Sequence, residues 1–352
     1  IFSQKLLMAE MFMNAARDDG EVQKVAVLGS GAFGTAMATV AARNGHSVYM
    51  YARDPAVVAS VNEQHKNPRY VKEFTLPVNL VATQSIEEAC QGAKLIMLAI
   101  PAQKLPGFLE ENRDIIPSDV ILCSTAKGLY LKDKCLLSSA MLASLDRIQP
   151  LAFLSGPSFA AEIMKGNPTL VVVASKYLYH AAAVQRWLST ADFRVYTSQD
   201  TVGVELGGSL KNPLAVGAGF IEGLGLGVNT MAAFVTRSSG ELQMLCQAMG
   251  GEADTISGLS GIGDLMLTAF GDLSRNRTCG MRLARGEKLE DILATTTVEG
   301  VPTAEVAVHF ATLCNIDCPI FQTVAEILNG SLSPEAARNM LMNRPLGMER
   351  KH

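Results

Sequence analysis

The sequence predicts two domains: an α/β domain built on a mostly parallel sheet over residues 22–199, then an all-helical domain over residues 200–352. Three observations carry this reading. From Lys24 to about Thr197, short apolar runs alternate with amphipathic windows of helical period, the pattern of a parallel sheet covered by helices. After Asp200 the strand-like runs stop, and Ala, Leu and Met alternate with polar residues at helical spacing. The 352 residues also exceed the roughly 100–200 residues of a usual single domain.

Taken in order, residues 1–21 read as an extension. Leu6, Leu7, Met11 and Phe12 have helical spacing, but Glu10 interrupts the apolar stretch that a secretory signal needs. Strands are expected at Lys24–Leu28, Ser47–Tyr51, Leu95–Ile100, Val120–Cys123, Leu151–Leu154, Thr169–Val173 and Phe193–Tyr196. Ser85-Ile86-Glu87-Glu88 has the form of a capped helix start, and Pro101 and Pro157 close strands where no backbone donor is required. Residues Gly203 to Gly227 are rich in glycine, which costs roughly 1 kcal/mol per helical site relative to alanine. Such glycines point to close helix packing or to backbone approaching a ligand.

Composition excludes several function classes. A 48% apolar and 18% charged chain fits a compact globular protein, not a self-repelling disordered one. No unbroken run reaches the roughly 18–20 apolar residues that span a bilayer, so no membrane span is expected. A net charge of −4 does not suit a nucleic-acid partner, and any anionic ligand must be met locally. The seven cysteines include no CxxC pair, and Cys314 and Cys318 have only His309 nearby, so no metal site is expected.

Gly29-Ser30-Gly31-Ala32-Phe33-Gly34 matches G-x-G-x-x-G directly after a strand and before the helical Thr35–Arg43. In that setting the first glycine permits the turn, the second lets backbone reach a pyrophosphate, and the third packs helix on strand. The helix amino terminus offers unsatisfied N–H groups and partial positive charge to the phosphates. The first domain is therefore expected to be of Rossmann type and to bind NAD or NADP. The second strand ends Tyr51-Ala52-Arg53-Asp54. Arg53 would pair with a 2′-phosphate, favouring NADPH or dual use, whereas Asp54 turned inward would accept a ribose 2′-hydroxyl. A solvated Arg53 is the competing reading.

Candidate chemistry lies in polar residues set among small or apolar ones. Lys127 follows a strand in Ser124-Thr125-Ala126-Lys127-Gly128, where it either meets substrate or is a surface lysine. Lys211 and Asn212 interrupt the small, apolar Gly207–Leu214. A desolvated lysine has its pKa lowered and can exchange a proton with a forming alkoxide, the more so if Lys127 converges on it. Asp264 and Thr268, four apart, share a helical face on which they would orient a lysine or a substrate hydroxyl; Asp264 is alternatively a helix cap. Ser274 is placed to cap a helix whose first turn holds Arg275, Asn276 and Arg277. Two cations there oppose the helix dipole, so a bound anion explains them better than helix stability does. A solvated basic turn is the plainer alternative.

The motifs Gly29–Thr35, Thr125–Gly128, Ser155–Ala160, Leu210–Asn212, Gly263–Leu265, Ser274–Arg277 and Val298–Val301 together resemble NAD(P)-dependent glycerol-3-phosphate dehydrogenase, from Lys24 to about Leu341. The resemblance implies that Ser30, Ala32, Phe33, Arg53, Ala160, Thr297 and Glu299 line the cofactor, with Lys127 touching both ligands. It implies that Lys211 is the proton donor and acceptor. Gly156, Ser158, Asp264, Ser274, Arg275 and Asn276 would hold glycerol phosphate, Arg275 lying near both phosphate and cofactor, with Asn212 and Thr268 completing the polar shell. Arg237-Ser238-Ser239 departs from a more usual Arg-Gly. A homodimer and a cytoplasmic location, with an organelle matrix as the second choice, follow by analogy only.

The expected reaction is hydride transfer between a nicotinamide and C2 of dihydroxyacetone phosphate. The rivals are a β-hydroxyacid or phosphogluconate-type dehydrogenase, which also carries a Lys-Asn element, and a non-catalytic NAD(P)H sensor. The Ser-Arg-Asn-Arg turn speaks against the first, and the two lysines with an aspartate exceed the needs of the second.

Overall fold

The computed structural model describes residues 21–346 and 348; the expected extension over residues 1–21 lies outside them apart from Glu21. An eight-stranded sheet has the order β3-β2-β1-β4-β5-β6-β7-β8. Its strands are β1 (Lys24–Leu28), β2 (Ser47–Tyr51), β3 (Leu80–Thr83), β4 (Leu95–Leu98), β5 (Ile121–Ser124), β6 (Leu151–Ser155), β7 (Thr169–Ala174) and β8 (Phe193–Ser198). All neighbours pair in parallel except β6 and β7. The expected mostly parallel α/β region followed by helices is what the chain forms. β3 is the strand that the sequence reading does not contain. Four residues at a sheet edge, Leu-Val-Ala-Thr, give too short an apolar run to register as a strand.

The strands are apolar nearly throughout because helices cover both faces. Helices α1 (Ala32–Arg43), α2 (Pro55–Gln64), α3 (Ile86–Cys90), α4 (Leu105–Asn112), α5 (Leu137–Leu145), α6 (Ala160–Lys165) and α7 (Leu178–Leu188) connect them. Their buried side chains form separate apolar clusters on the two faces, one around Met37, Met50 and Leu95, the other around Leu98, Leu105 and Leu122. The expected cap holds: Ser85 Oγ accepts from Glu88 N at 3.1 Å. Glu88 does not close a reciprocal box; its carboxylate accepts the Thr83 hydroxyl instead. Strand order reverses between β1 and β4, so their carboxyl ends open a crevice.

The helical region is arranged around α8 (Thr201–Gly223), buried from Gly203 to Ile221 and packed against α9 (Gly227–Ala248), α11 (Asp264–Phe270), α12 (Arg275–Ala284) and α14 (Gly300–Leu313). The short α10 (Ala253–Ile256) and a π-helical turn (Leu259–Gly263) lead into α11; α13 (Leu289–Thr295), α15 (Pro319–Leu328) and α16 (Pro334–Met342) complete it. The glycines of α8 serve close packing. A Cβ on Gly219 would lie 2.1 Å from Arg277 O, and one on Gly280 would lie 2.0 Å from Val216 O. Among the described residues no helix is long and apolar enough to cross a membrane, and all seven cysteines are free.

The crossing of α8 and α12 yields paired predictions of opposite sign. Gly280→Ala puts a methyl against backbone that cannot move aside, so an overpacking cost of about 1–3 kcal/mol or more outweighs the helix-propensity gain of about 0.5–1 kcal/mol. Gly240→Ala, in α9, meets nothing within 4 Å and keeps only the gain. Denaturant unfolding should show a loss for the first and a small gain for the second; equal shifts would contradict the packing described.

Candidate active site

The nucleotide loop joins β1 to α1. Gly29 has φ +122°, and a Cβ there would lie 2.4 Å from Ala99 O, while one on Gly34 would lie 2.0 Å from Gly29 O. Both positions exclude any larger residue. A Cβ on Gly31 would meet nothing within 4 Å, and the amino terminus of α1 has no side-chain cap. Its first N–H groups are thus left for a ligand, which suits a pyrophosphate. Ser30, Ala32 and Phe33 line the same rim half-buried. Asn67, absent from the sequence reading, clasps this loop. Fully buried, it donates through Nδ2 to Ser30 O at 2.9 Å and to Thr35 Oγ1 at 2.8 Å. Nothing in Lys66-Asn67-Pro68 marks that role, because only the fold brings the segment across the loop.

At the end of β2, the two oxygens of Asp54 have different surroundings. Its Oδ1 caps α2 by accepting from Ala56 N at 2.9 Å, and its other oxygen pairs with Arg69. Its Oδ2 is buried and accepts no hydrogen bond among the described residues, so the ion pair alone balances it. Arg53 is exposed, and no described residue pairs with its guanidinium.

The polar centre forms where the loops after β5 and β6 meet α8 and α11. Asp264, 0% exposed at the start of α11, receives Lys211 Nζ on Oδ1 at 2.7 Å and Lys127 Nζ on Oδ2 at 2.8 Å. The two lysines therefore converge on one carboxylate. Lys211 Nζ also donates to Thr268 Oγ1 at 2.5 Å, and Thr268 passes its own proton to Asp264 O at 2.6 Å. An ammonium has three donors, so Lys211 keeps one in reserve. Lys127 has all three engaged, with Asp264, with Gly156 O at 2.6 Å and with Ser158 Oγ at 3.2 Å. Burial lowers the Lys211 pKa, Asp264 opposes that, and the Lys127 charge lowers it further.

Asn212 follows Lys211 on the buried helix and donates to Lys127 O at 3.3 Å and to Glu299 Oε2 at 3.4 Å. Its Oδ1 accepts from Asn276 Nδ2 at 2.9 Å, and Asn276 Oδ1 accepts from Gly300 N at 2.9 Å. Burial pushes the Glu299 carboxyl up, against the pull of Arg275, Lys211 and Lys127. Ser274 caps α12 as expected, its Oγ accepting from Arg277 N at 3.2 Å. The pair of cations beside it needs a correction. Arg277 makes a two-pronged ion pair with Glu222, at 2.6 Å on each arm, and reaches Asp272 at 3.1 Å. Arg275 remains exposed, with no hydrogen bond or ion pair among the described residues and only Glu299 acting on its charge, so a ligand is called for by one guanidinium, not two. Ala160 opens α6 half-buried, and Thr297 is exposed in the loop before α14. Among the described residues no group of three or more His, Cys, Asp or Glu side chains is placed to hold a metal.

A dinucleotide loop at a strand-order switch, together with a buried lysine held by an aspartate and a threonine, defines an NAD(P)-dependent oxidoreductase. Family profiles described as the N-terminus and the C-terminus of NAD-dependent glycerol-3-phosphate dehydrogenase match residues 24–181 and 200–339. The chain belongs to that family. It is 44% identical over 328 residues to glycerol-3-phosphate dehydrogenase [NAD(+)] 2, chloroplastic, of Arabidopsis thaliana, covering 92% of this chain and 78% of the relative. It is 41% identical over 326 residues to glycerol-3-phosphate dehydrogenase [NAD(P)+] of Mesorhizobium japonicum, covering 93% and 94%. The crystal structure of glycerol-3-phosphate dehydrogenase from Coxiella burnetii superposes with a TM-score of 0.84 at 32% identity, over 92% of this chain and 99% of that one.

The shared carboxylate makes a thermodynamic prediction. Asp264→Asn strands two ammonium groups, and breaking a buried pair from one side costs about 3–5 kcal/mol. The folded Lys211 pKa, already below 10.5, would fall further without Asp264. Folding would then expel a proton from Lys211, so the variant's stability rises with pH and its deficit shrinks toward pH 10.5. Denaturant unfolding at neutral and alkaline pH measures this; a deficit that grows with pH would overturn the assignment.

Proposed function

We propose that this enzyme interconverts dihydroxyacetone phosphate and sn-glycerol 3-phosphate with NAD or NADP. The carrying observation is Lys211, whose one uncommitted N–H lies in a buried cluster at the carboxyl ends of the parallel strands. When bound, the reduced nicotinamide supplies the hydride that C2 of the ketone accepts. Lys211 gives its proton to the alkoxide oxygen as it forms and recovers it in the reverse direction. Its lowered pKa suits both duties. Lys127 exchanges its longest contact, with Ser158, for the carbonyl oxygen, and so stabilises the developing charge together with Asn212. Gly156 and Ser158 border the triose, and Asp264 with Thr268 holds Lys211 in line.

The phosphate belongs at the amino terminus of α12. Arg275 carries a guanidinium with no hydrogen bond among the described residues, Ser274 retains its hydroxyl proton, and Asn276 retains one amide proton after Asn212 is satisfied. Gly29 to Gly34, Arg53, Ala160, Thr297 and Glu299 form the cofactor side. In this reading residues 22–199 are the nucleotide domain and residues 200–352 the substrate domain. We further infer a homodimer in the cytoplasm; the plant relative's chloroplastic name is the observation that favours an organelle matrix instead.

Absorbance of NADH and NADPH is followed on adding dihydroxyacetone phosphate, with a phosphogluconate and a hydroxyacid as controls. Oxidation confined to the triose phosphate supports the proposal; oxidation with a control alone moves the assignment to that class, and cofactor binding without turnover leaves a sensor. Lys211→Ala should lower kcat by about 10²–10⁴-fold while cofactor affinity is retained. In Lys127→Met the repulsion on Lys211 is gone and its pKa rises. The pH at which glycerol phosphate oxidation switches on should therefore move up, and a downward move would remove Lys127 from this role.

A further inference from the structure

We propose that Arg69 is the second guanidinium of a 2′-phosphate clamp whose first member is Arg53, so that the enzyme discriminates in favour of NADPH. The proposal rests on the nicotinamide-dinucleotide reading of this site and not on the identity of the substrate. In folds of this kind the adenosine ribose lies beside the end of the second strand. Here that end abuts the glycine loop, Gly29 N donating to Tyr51 O at 3.3 Å. The segment carrying Arg69 is fastened to the same loop. Asn67, buried, holds Ser30 and Thr35 with its amide, while its Oδ1 accepts from Arg69 N at 3.0 Å and Tyr70 N at 3.1 Å. Arg69 is thereby set next to the nucleotide loop by backbone, not by a flexible chain.

Asp54 completes the device. Its Oδ1 is taken by Ala56 N, while its Oδ2, which accepts no hydrogen bond among the described residues, is paired by charge with Arg69. The ion pair also cancels a negative charge that would repel a 2′-phosphate. Arg69 spends one edge of its guanidinium on Asp54 and presents the rest to solvent, its side chain 65% exposed. A guanidinium has five donors, enough to serve a carboxylate and a phosphate together. Arg53, exposed and without a described partner, supplies the opposite jaw, with its backbone carbonyl fixed by Gln84 Nε2 at 3.2 Å.

The test is binding of NADPH and NADH, and of 2′-phospho-ADP-ribose and ADP-ribose, to the full chain by calorimetry in the absence of substrate. Charge-assisted contacts of this kind contribute roughly tenfold or more each, so the wild type should prefer the 2′-phosphorylated member of each pair by at least about tenfold. Arg69→Ala and Arg69→Gln should each cut that preference by about tenfold, as should Arg53→Ala. Lys176→Ala, which removes an equal charge from the start of α7, should keep the wild-type ratio. A wild-type ratio near one, or Arg69 variants with the wild-type ratio, overturns the clamp. ADP-ribose affinity in the same variants reports that the fold is intact. Failure to turn over dihydroxyacetone phosphate would reject the proposed reaction and leave this binding result standing.

Discussion

The Asp264 carboxylate is the point on which the site depends, because it alone receives both lysines. Lys127 comes from the loop after β5, Lys211 from the middle of α8, and Asp264 from the start of α11. Three separate elements therefore meet at one buried anion, and the sheet is tied to the helices there. Two cations within reach of each other repel in a medium of low dielectric. Without the anion between them, Lys211 would lose the contact that most opposes the lowering of its pKa. Glu299 opposes that lowering as well.

Such a cluster requires that bulky side chains stay away, and the glycines of α8 meet that requirement. A Cβ on Gly207 would lie 2.8 Å from Ser260 O, which would push away the π-helical turn that delivers Asp264. A Cβ on Gly208 would lie 2.6 Å from Ser155 Oγ and 3.8 Å from Lys127 Cβ. One turn of glycine thus lets β6, the Lys127 loop and the approach to α11 close around the helix. Further along, Gly219 admits α12, which carries Ser274, Arg275 and Asn276 at its amino end. The low helix propensity of these residues is offset by burial along nearly the whole of α8. The same contacts that stabilise the helical region hold Lys127, Lys211 and Asp264 together.

Much of this was legible in the sequence because local rules and tertiary demands agree. The glycine loop, the Ser85 and Ser274 caps and the alternation of strands and helices each follow from short-range chemistry. The convergence of Lys127, Lys211, Asp264 and Thr268 was suggested by charge set among small residues, a pattern that needs a partner in space. The failures share a cause. β3 is too short to carry its own signal, Asn67 acts on a loop 37 residues away in the chain, and the Arg277 partner Glu222 lies 55 residues away. Asp54 was ambiguous because a cap and a ribose ligand look alike until the direction of the side chain is known. In each case the deciding contact is long-range or orientational, and neither property is written in local spacing.

The internal hydrogen bonds also distinguish the two lysines in the proposed reaction. Thr268 has one hydroxyl proton, and Asp264 O takes it, so Thr268 can only accept from Lys211. That removes any ambiguity of proton direction on the far side of Lys211 and leaves its single spare donor as the exit. Lys127 reaches the same carboxylate but must surrender an existing contact before it can touch a ligand. The two ammoniums are therefore inequivalent despite a common partner: in the proposed reaction one transfers a proton, while the other supplies a charge that lowers its neighbour's pKa. Both side chains are lysines, so the difference lies in Gly156, Ser158 and Thr268 around them.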